Sequence, residues 1–395
     1  YPRLRRIHSF ESRKEQRQRM KYPFLDLAAV NAPMLAQIQD AAARVIASGR
    51  YIGGPETEAF EQRLAELAGT AFAVGVSNGL DALRLIFRAY IELGRLRPGD
   101  AVIVPANTYA ASFLAVSDCG LRIVPVDPDS RSMNLSGDAV EAAAAANPSV
   151  KAVLTVHLYG RAAYDVAMAD AVRRYGLILV EDNAQAIGAV CETASPADNH
   201  RTGGLGHAAA FSFYPTKNVG AAGDAGAVTT GDAELAACVR ALANYGSDVR
   251  YHNIYRGLNC RLDPIQAAVL GVKLDNLERI TTARRANAAV YAATISNAEL
   301  TLPVHDSPDG DVWHQYVVRT SDRDGFRSYL ATHGVGTDVH YPLPPHRQPC
   351  YAGAFDGTFP VADSLAATVV SLPISEATTP EQIREIAEII NSYHR

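Results

Sequence analysis

The sequence predicts an α/β fold, with a large domain on a mostly parallel sheet and a smaller C-terminal α+β domain. Three observations carry this. Between residues 70 and 230 short apolar, β-branched runs alternate with amphipathic helical stretches, the βαβ pattern of a parallel sheet covered on both faces. Beyond about residue 262 that alternation stops and a long helical segment takes over. The chain, at 395 residues with 48% hydrophobic and 20% charged, holds enough apolar material for a large core and a smaller companion.

Residues 1–19 hold seven Arg/Lys and two Glu, a net of +5 that leaves −10 for the rest, and are read as a basic leader outside the fold, with Met20 beginning the natural chain. Residues 20–262 are assigned to the large domain together with an N-terminal segment, and 263–395 to a linking helix and the small domain. The expected strands are Ala71–Val76, Ala101–Pro105, Arg122–Asp127, Ala152–His157, Leu177–Glu181, Ala208–Phe213 and Ala225–Thr229. Leu80–Leu93, Ala110–Cys119, Ala139–Ala145 and Val166–Tyr175 carry helical periodicity between the earlier ones. The last two strands leave no room for a crossover helix, so one strand near an edge is expected to run antiparallel. Pro264–Asn276 reads as the start of a long helix continuing through Tyr291. A strand at Tyr316–Arg319, a helix around Phe326–His333, a Pro-rich stretch from Tyr341 to Pro349 and a closing helix Pro380–Tyr393 complete the chain.

Composition excludes several function classes. A formal charge of −5 argues against gripping nucleic acid or anionic lipid. The cysteines at 119, 191, 238, 260 and 350 form no CxxC pair, so neither a disulfide framework nor a zinc site is suggested and a cytoplasmic setting is expected. No apolar run approaches the roughly 18 to 20 residues that span a bilayer.

The chemistry is carried by residues just beyond apolar runs. Glu181 and Asp182 close the run Leu177–Val180, and ligands of doubly wound sheets bind at the carboxyl ends of strands. Lys217 follows the run ending at Phe213 and precedes the Gly-rich segment 220–226. Alone, Asp182 is equally a helix cap or loop acid and Lys217 a solvated surface residue. Together they match what a pyridoxal phosphate (PLP) enzyme requires, an amine to bond the cofactor and a carboxylate to keep its pyridine nitrogen protonated. Ser77-Asn78-Gly79 between a strand and a helix start offers free N–H groups to an anion, or serves as an ordinary N-cap. Tyr109, beyond a third strand, can stack on a flat cofactor or pack in the core.

In combination, Ser77-Asn-Gly-Leu-Asp-Ala-Leu83, Val104-Pro-Ala-Asn-Thr-Tyr109, Val156-His-Leu-Tyr-Gly160, Glu181-Asp-Asn-Ala-Gln-Ala186, Phe211-Ser-Phe-Tyr-Pro-Thr-Lys-Asn218 and Gly257-Leu-Asn-Cys-Arg-Leu-Asp-Pro-Ile-Gln266 resemble the nucleotide-sugar aminotransferases of the DegT/StrS type. This is a branch of the PLP-dependent fold type I enzymes, and the resemblance runs from about Tyr22 to the C-terminus. It implies that Lys217 bonds the cofactor, that Asp182 partners the pyridine nitrogen and that Gln185 lies near the ring hydroxyl. It implies phosphate contacts from the backbone of Asn78 and Gly79 and from Ser212, and Tyr109 stacked on the ring. It also implies a homodimer in which Asn259 reaches the neighbouring subunit's phosphate.

Leu80-Asp-Ala-Leu-Arg-Leu85, Leu258-Asn-Cys-Arg-Leu-Asp263 and His340-Tyr-Pro-Leu-Pro-Pro-His346 are most similar to the branch that aminates C-3 of dTDP-linked 3-keto-6-deoxyhexoses with L-glutamate as donor. That implies Tyr214, His340 and Tyr341 near the sugar and its diphosphate. His340 and His346 alone read as a surface loop, and with no third ligand no metal is expected. Two positions depart from the family pattern. Ile187 stands where a histidine is frequent and is expected to alter hydrogen bonding at the sugar or ring edge; Ala225 replaces a common glycine. Amination at C-4 of a nucleotide-linked 4-keto sugar remains open, as does a PLP-binding regulator with little turnover. A dehydratase is disfavoured, because such relatives replace the lysine with histidine.

Overall fold

The structure, a computed structural model, describes residues 20–191, 201–304, 307 and 310–394. The basic leader lies outside them. Its centre is a sheet of seven strands, β1 (Phe72–Val76), β2 (Ala101–Pro105), β3 (Arg122–Val126), β4 (Val150–Val156), β5 (Ile178–Asp182), β6 (Ala208–Ser212) and β7 (Gly226–Thr230), in the order β1-β7-β6-β5-β4-β2-β3. Neighbours from β3 to β6 pair in parallel, while β7 runs antiparallel to both β6 and β1. The reversed strand expected near an edge is therefore β7, one place in, reached from β6 by a loop with no crossover helix.

The central strands carry Val, Ile, Leu and Ala on both faces because helices cover both. Val74, Val104, Leu154 and Val180 pack with Leu85, Phe87 and Phe113 of the helices Gly79–Glu92 and Ala110–Asp118. Part of the opposite face packs Ala209, Phe211 and Ala227 against Phe60 and Leu64 of the helix Pro55–Ala68. These faces also set the helix starts: Asn78, Ser136 and Asp165 each cap one with a side-chain oxygen. A short hairpin of β8 (Ser247–Val249) and β9 (His252–Asn253) follows the sheet, with Tyr251 and Val249 exposed.

The long helix expected from Pro264 is broken. Helices Pro264–Asp275 and Leu277–Thr294 meet at Asn276, whose N–H turns to the carbonyls of Leu274 and Lys273 while its side-chain amide donates to Val272 O at 3.0 Å. An asparagine that bonds its own backbone competes with the helical ladder. Beyond it lies a second core. The antiparallel pair of β10 (Tyr316–Arg319) and β11 (Val369–Leu372) packs with Tyr291, Phe326, Leu330, Ile383, Ile386 and Ile390. Tyr22 joins this second core, its N–H bonded to Gly334 O at 2.9 Å.

Candidate active site

Neighbouring residues on a strand face opposite ways, and β5 ends on two acids with opposite surroundings. Glu181 is fully buried and closed: its carboxylate accepts His157 Nε2–H and the N–H groups of Gly203 and Gly206, each at 2.7 Å. His157 Nδ1 accepts the Ala163 N–H at 2.9 Å, which assigns the proton to Nε2. Asp182 is held more sparsely, by Ser112 Oγ–H at 2.9 Å and the Ala184 N–H at 3.2 Å. Thr108 Oγ1 lies 2.9 Å from Ser112 Oγ and extends that chain. Burial pushes the Asp182 carboxyl above the ordinary carboxylate range, against the pull of Ser112, Ala184 and the charge of Lys217. An ionised carboxylate accepts about four hydrogen bonds, so Asp182 retains capacity for a cationic N–H.

Lys217 lies in the turn beyond the next strand, β6, its backbone N–H bonded to Tyr214 O at 2.8 Å. Burial brings its ammonium down to about 8, opposed by the charge of Asp182. Its Nζ has no hydrogen bond or ion pair among the described residues.

The third component is an anion cradle. Asn78 Oδ1 accepts the Asp81 N–H at 2.8 Å and so opens the helix Gly79–Glu92, leaving the Gly79 and Leu80 N–H groups without acceptors among the described residues. A Cβ on Gly79 would come within 2.7 Å of Ser212 Cβ, and one on Gly226 within 2.4 Å of the Asn78 carbonyl. These two glycines let the end of β6, the start of β7 and the helix N-terminus converge. Ser212 Oγ accepts only a long 3.4 Å contact from the Tyr214 N–H among the described residues, which leaves its own proton available.

Aromatic side chains form the outer wall. The Tyr109 ring, 58% exposed, lies 5.1 Å from that of Tyr341. Gln185 accepts the Tyr159 N–H at 2.7 Å and donates to Tyr341 Oη at 3.0 Å. The Tyr159 hydroxyl donates to His340 O, and His340 Nδ1 lies 2.8 Å from Ser371 Oγ. Burial lowers the His340 imidazole and raises the Tyr341 phenol.

Of the residues singled out from sequence, the fold brings Asp182 and Lys217 within electrostatic reach, gathers Asn78, Gly79 and Ser212, and joins Gln185, Tyr341, Tyr109 and His340. Tyr214, half exposed in the Lys217 turn, and Asn259, exposed beside Cys260, make no side-chain hydrogen bond among the described residues. Ile187 is buried in the cluster of Phe211, Phe213 and Leu277 and packs the core. Ala225 is also core, its carbonyl accepting the Phe213 N–H at 2.8 Å. Sequence reasoning missed Ser112, Tyr159, His157, Asn218 and His314. The hydroxyl of Thr108, in the bend just before the helix Ala110–Asp118, and that of Ser112 in its first turn lie 2.9 Å apart; two hydroxyls so close in sequence to a strand end were the available signal for Ser112. Among the described residues no group of three or more His, Cys, Asp or Glu is arranged for a metal, and no helix is long and apolar enough to cross a membrane.

The donor set fits PLP: a lone amine, a buried carboxylate with spare acceptor capacity, unpaired N–H groups in a glycine-lined cradle and an aromatic wall. Comparison with known proteins agrees. The model of the DegT/DnrJ/EryC1/StrS aminotransferase family matches residues 34–391. The chain is 43% identical over 371 residues to the dTDP-3-amino-3,6-dideoxy-alpha-D-galactopyranose transaminase of Aneurinibacillus thermoaerophilus, covering 94% of this chain and 99% of that protein. It is 45% identical over 371 residues to the dTDP-3-amino-3,4,6-trideoxy-alpha-D-glucose transaminase of Streptomyces venezuelae, covering 93% and 94%. The structure of S. venezuelae DesV superposes with a TM-score of 0.88 at 44% identity, over 94% of this chain and 97% of that one. Bacillus subtilis NtdA, solved with bound cofactor PMP, superposes with a TM-score of 0.84 at 27% identity, over 94% and 86%.

Proposed function

The chain belongs to the DegT/DnrJ/EryC1/StrS aminotransferase family, and on that premise we propose that it transfers an amino group from L-glutamate to C-3 of a dTDP-linked 3-keto-6-deoxyhexose, giving a dTDP-3-amino-3,6-dideoxyhexose. The observation that carries this reading is the partnerless Lys217 amine beside buried Asp182, in a chain that aligns with two dTDP-3-amino-sugar transaminases over nearly their full lengths.

When bound, PLP supplies an electron-accepting ring beside the nitrogen being transferred. The protein's own groups do the rest. Asp182 places a negative charge against the ring nitrogen, and Ser112 fixes the rotamer of that carboxylate. The backbone N–H groups of Asn78 and Gly79, with that of Leu80 beside them, and the Ser212 hydroxyl would bind the phosphate at the positive end of a helix. Lys217 Nζ, neutral above about pH 8, is the amine that would hold the cofactor and, when free, would take and return a proton at the carbon bearing the amino group. Tyr109 would stack on the ring and Gln185 would face its hydroxyl. Tyr214, His340 and Tyr341 border the sugar and its diphosphate. The exposed, unpaired Asn259 supports a homodimer in which it reaches the partner's phosphate. Five free cysteines, three of them buried, support a reducing cytoplasm.

The test is turnover of PLP-loaded protein with L-glutamate and dTDP-3-keto-6-deoxyhexose. Equimolar 2-oxoglutarate and an amino sugar with nitrogen on C-3 are expected, read by NMR. Amination of a 4-keto nucleotide sugar alone would overturn the position, and absence of 2-oxoglutarate would overturn the transaminase.

A further inference from the structure

Lys217 needs a fixed backbone, and the residue that follows it is tied to a distant strand of chain. Asn218 is buried; its side-chain amide donates to Val312 O at 3.0 Å and its Oδ1 lies 3.1 Å from His314 Nδ1. An amide oxygen only accepts, so His314 Nδ1 must carry the proton. His314 Nε2 is then free to accept from Gln315 Nε2, 3.4 Å away.

The strap bearing His314 is itself anchored on two sides. Toward the linking helix, Arg284 Nη1 donates to the carbonyls of Trp313 at 3.2 Å and His314 at 3.4 Å, and Arg285 Nε to Asp311 O at 2.9 Å. Toward the sheet, Val312 N–H donates to Gly160 O at 2.9 Å and Gln315 N–H to Tyr159 O at 3.2 Å. Tyr159 is the residue whose own N–H holds Gln185. One strap therefore touches both the Lys217 turn and the Gln185 side of the site.

We propose that His314, as the neutral Nδ1–H tautomer, is a positioning residue that acts through Asn218 to hold the Lys217 amine in its buried setting. This rests on the assignment of Lys217 as the amine that bonds the cofactor. The charged and titratable groups around His314 are Lys217, Arg284 and His340, and burial together with these groups holds its imidazole far below the ordinary histidine range. A protonated His314 would still donate Nδ1–H to Asn218 but would leave Nε2–H facing the side-chain amide of Gln315, so the neutral ring is the form that satisfies both contacts. Without the tie, the Lys217 turn is released toward water and its amine relaxes from about 8 toward its ordinary 10.5.

The experiment labels Lys217 of the cofactor-free protein with acetic anhydride across pH, reads the modified peptide by mass spectrometry, and repeats this for His314→Leu, His314→Asn and Asn218→Ala. The Leu and Ala variants should move the Lys217 titration up by about one pH unit. His314→Asn, which keeps an N–H near the Nδ1 position, should restore it. Unchanged titration in the Leu and Ala variants would overturn the proposal. Because His314→Leu leaves a buried amide unpaired and can fail to fold, ¹⁵N NMR of wild-type His314 decides independently: Nδ1–H is expected, and Nε2–H or imidazolium near pH 7 would overturn it. Borohydride trapping of PLP on wild-type Lys217 separates the two claims, since its absence breaks the assignment of the lysine and not the tie.

Discussion

The floor and the outer wall of the site are built differently. On the floor, consecutive acids of one strand divide the work: Glu181 is saturated by His157, Gly203 and Gly206, while Asp182 keeps acceptor capacity and shares its field with an unpaired lysine. On the wall, Tyr109 and Tyr214 are more than half exposed and the tie between Gln185 and Tyr341 is a neutral hydrogen bond. The floor holds charges in a dry setting where each is worth several kcal/mol; the wall offers contacts worth far less apiece. The contrast explains why the reaction type follows from a few buried groups while the sugar is chosen by many weak ones.

If that contrast holds, the largest loss of activity comes from the floor. Lys217→Ala should lower turnover by about 10³-fold or more, the range for removal of a positioned proton carrier, with folding unchanged by circular dichroism. Turnover within tenfold of wild type would break the assignment. The same lysine sets a pH dependence. A group brought down to about 8 is mostly protonated at pH 7, so the rate of PLP incorporation into the cofactor-free protein should rise about tenfold per unit below pH 8 and level off above it. A rate that falls with rising pH would contradict the neutral amine.

Glu181 sharpens the comparison because it shares the strand and lacks the chemistry. Glu181→Leu strands the His157 N–H and two backbone N–H groups in the core and should cost about 3–5 kcal/mol of stability, measured by urea denaturation. Asp182→Asn should do the reverse, leaving stability within about 1 kcal/mol while lowering turnover by roughly 10²–10³-fold through loss of charge at the ring nitrogen. Equal destabilisation by both variants would erase the distinction between a closed structural acid and an open functional one.

How much of this was legible in the sequence follows the same division. The strands of the large sheet are apolar on both faces and end at turn residues, so their order along the chain and the positions of Asp182 and Lys217 at strand ends could be read directly. The break at Asn276 could not, because the apolar periodicity continues across it and only the competition of one side chain for Val272 O ends the helix. Nor could the setting of Ile187, since a loop residue's facing is set by tertiary packing, here in the cluster with Phe211, Phe213 and Leu277. His314 carried no local signal, since its contact with Asn218 spans 96 residues.

Tyr341 should give the smallest effect, and it tests whether wall contacts are individually weak. Removing its hydroxyl takes away the hydrogen bond from Gln185 Nε2 but leaves the ring against Tyr109 and the Gln185 carbonyl oxygen on the Tyr159 N–H. A neutral hydrogen bond contributes about 0.5–1.5 kcal/mol, so Tyr341→Phe should reduce kcat/KM by roughly 3–10-fold, with the loss in KM for the nucleotide sugar and little change in kcat. A kcat loss approaching that of Asp182→Asn would place the Tyr341 hydroxyl among the groups that move protons, and the wall would then share the chemistry of the floor.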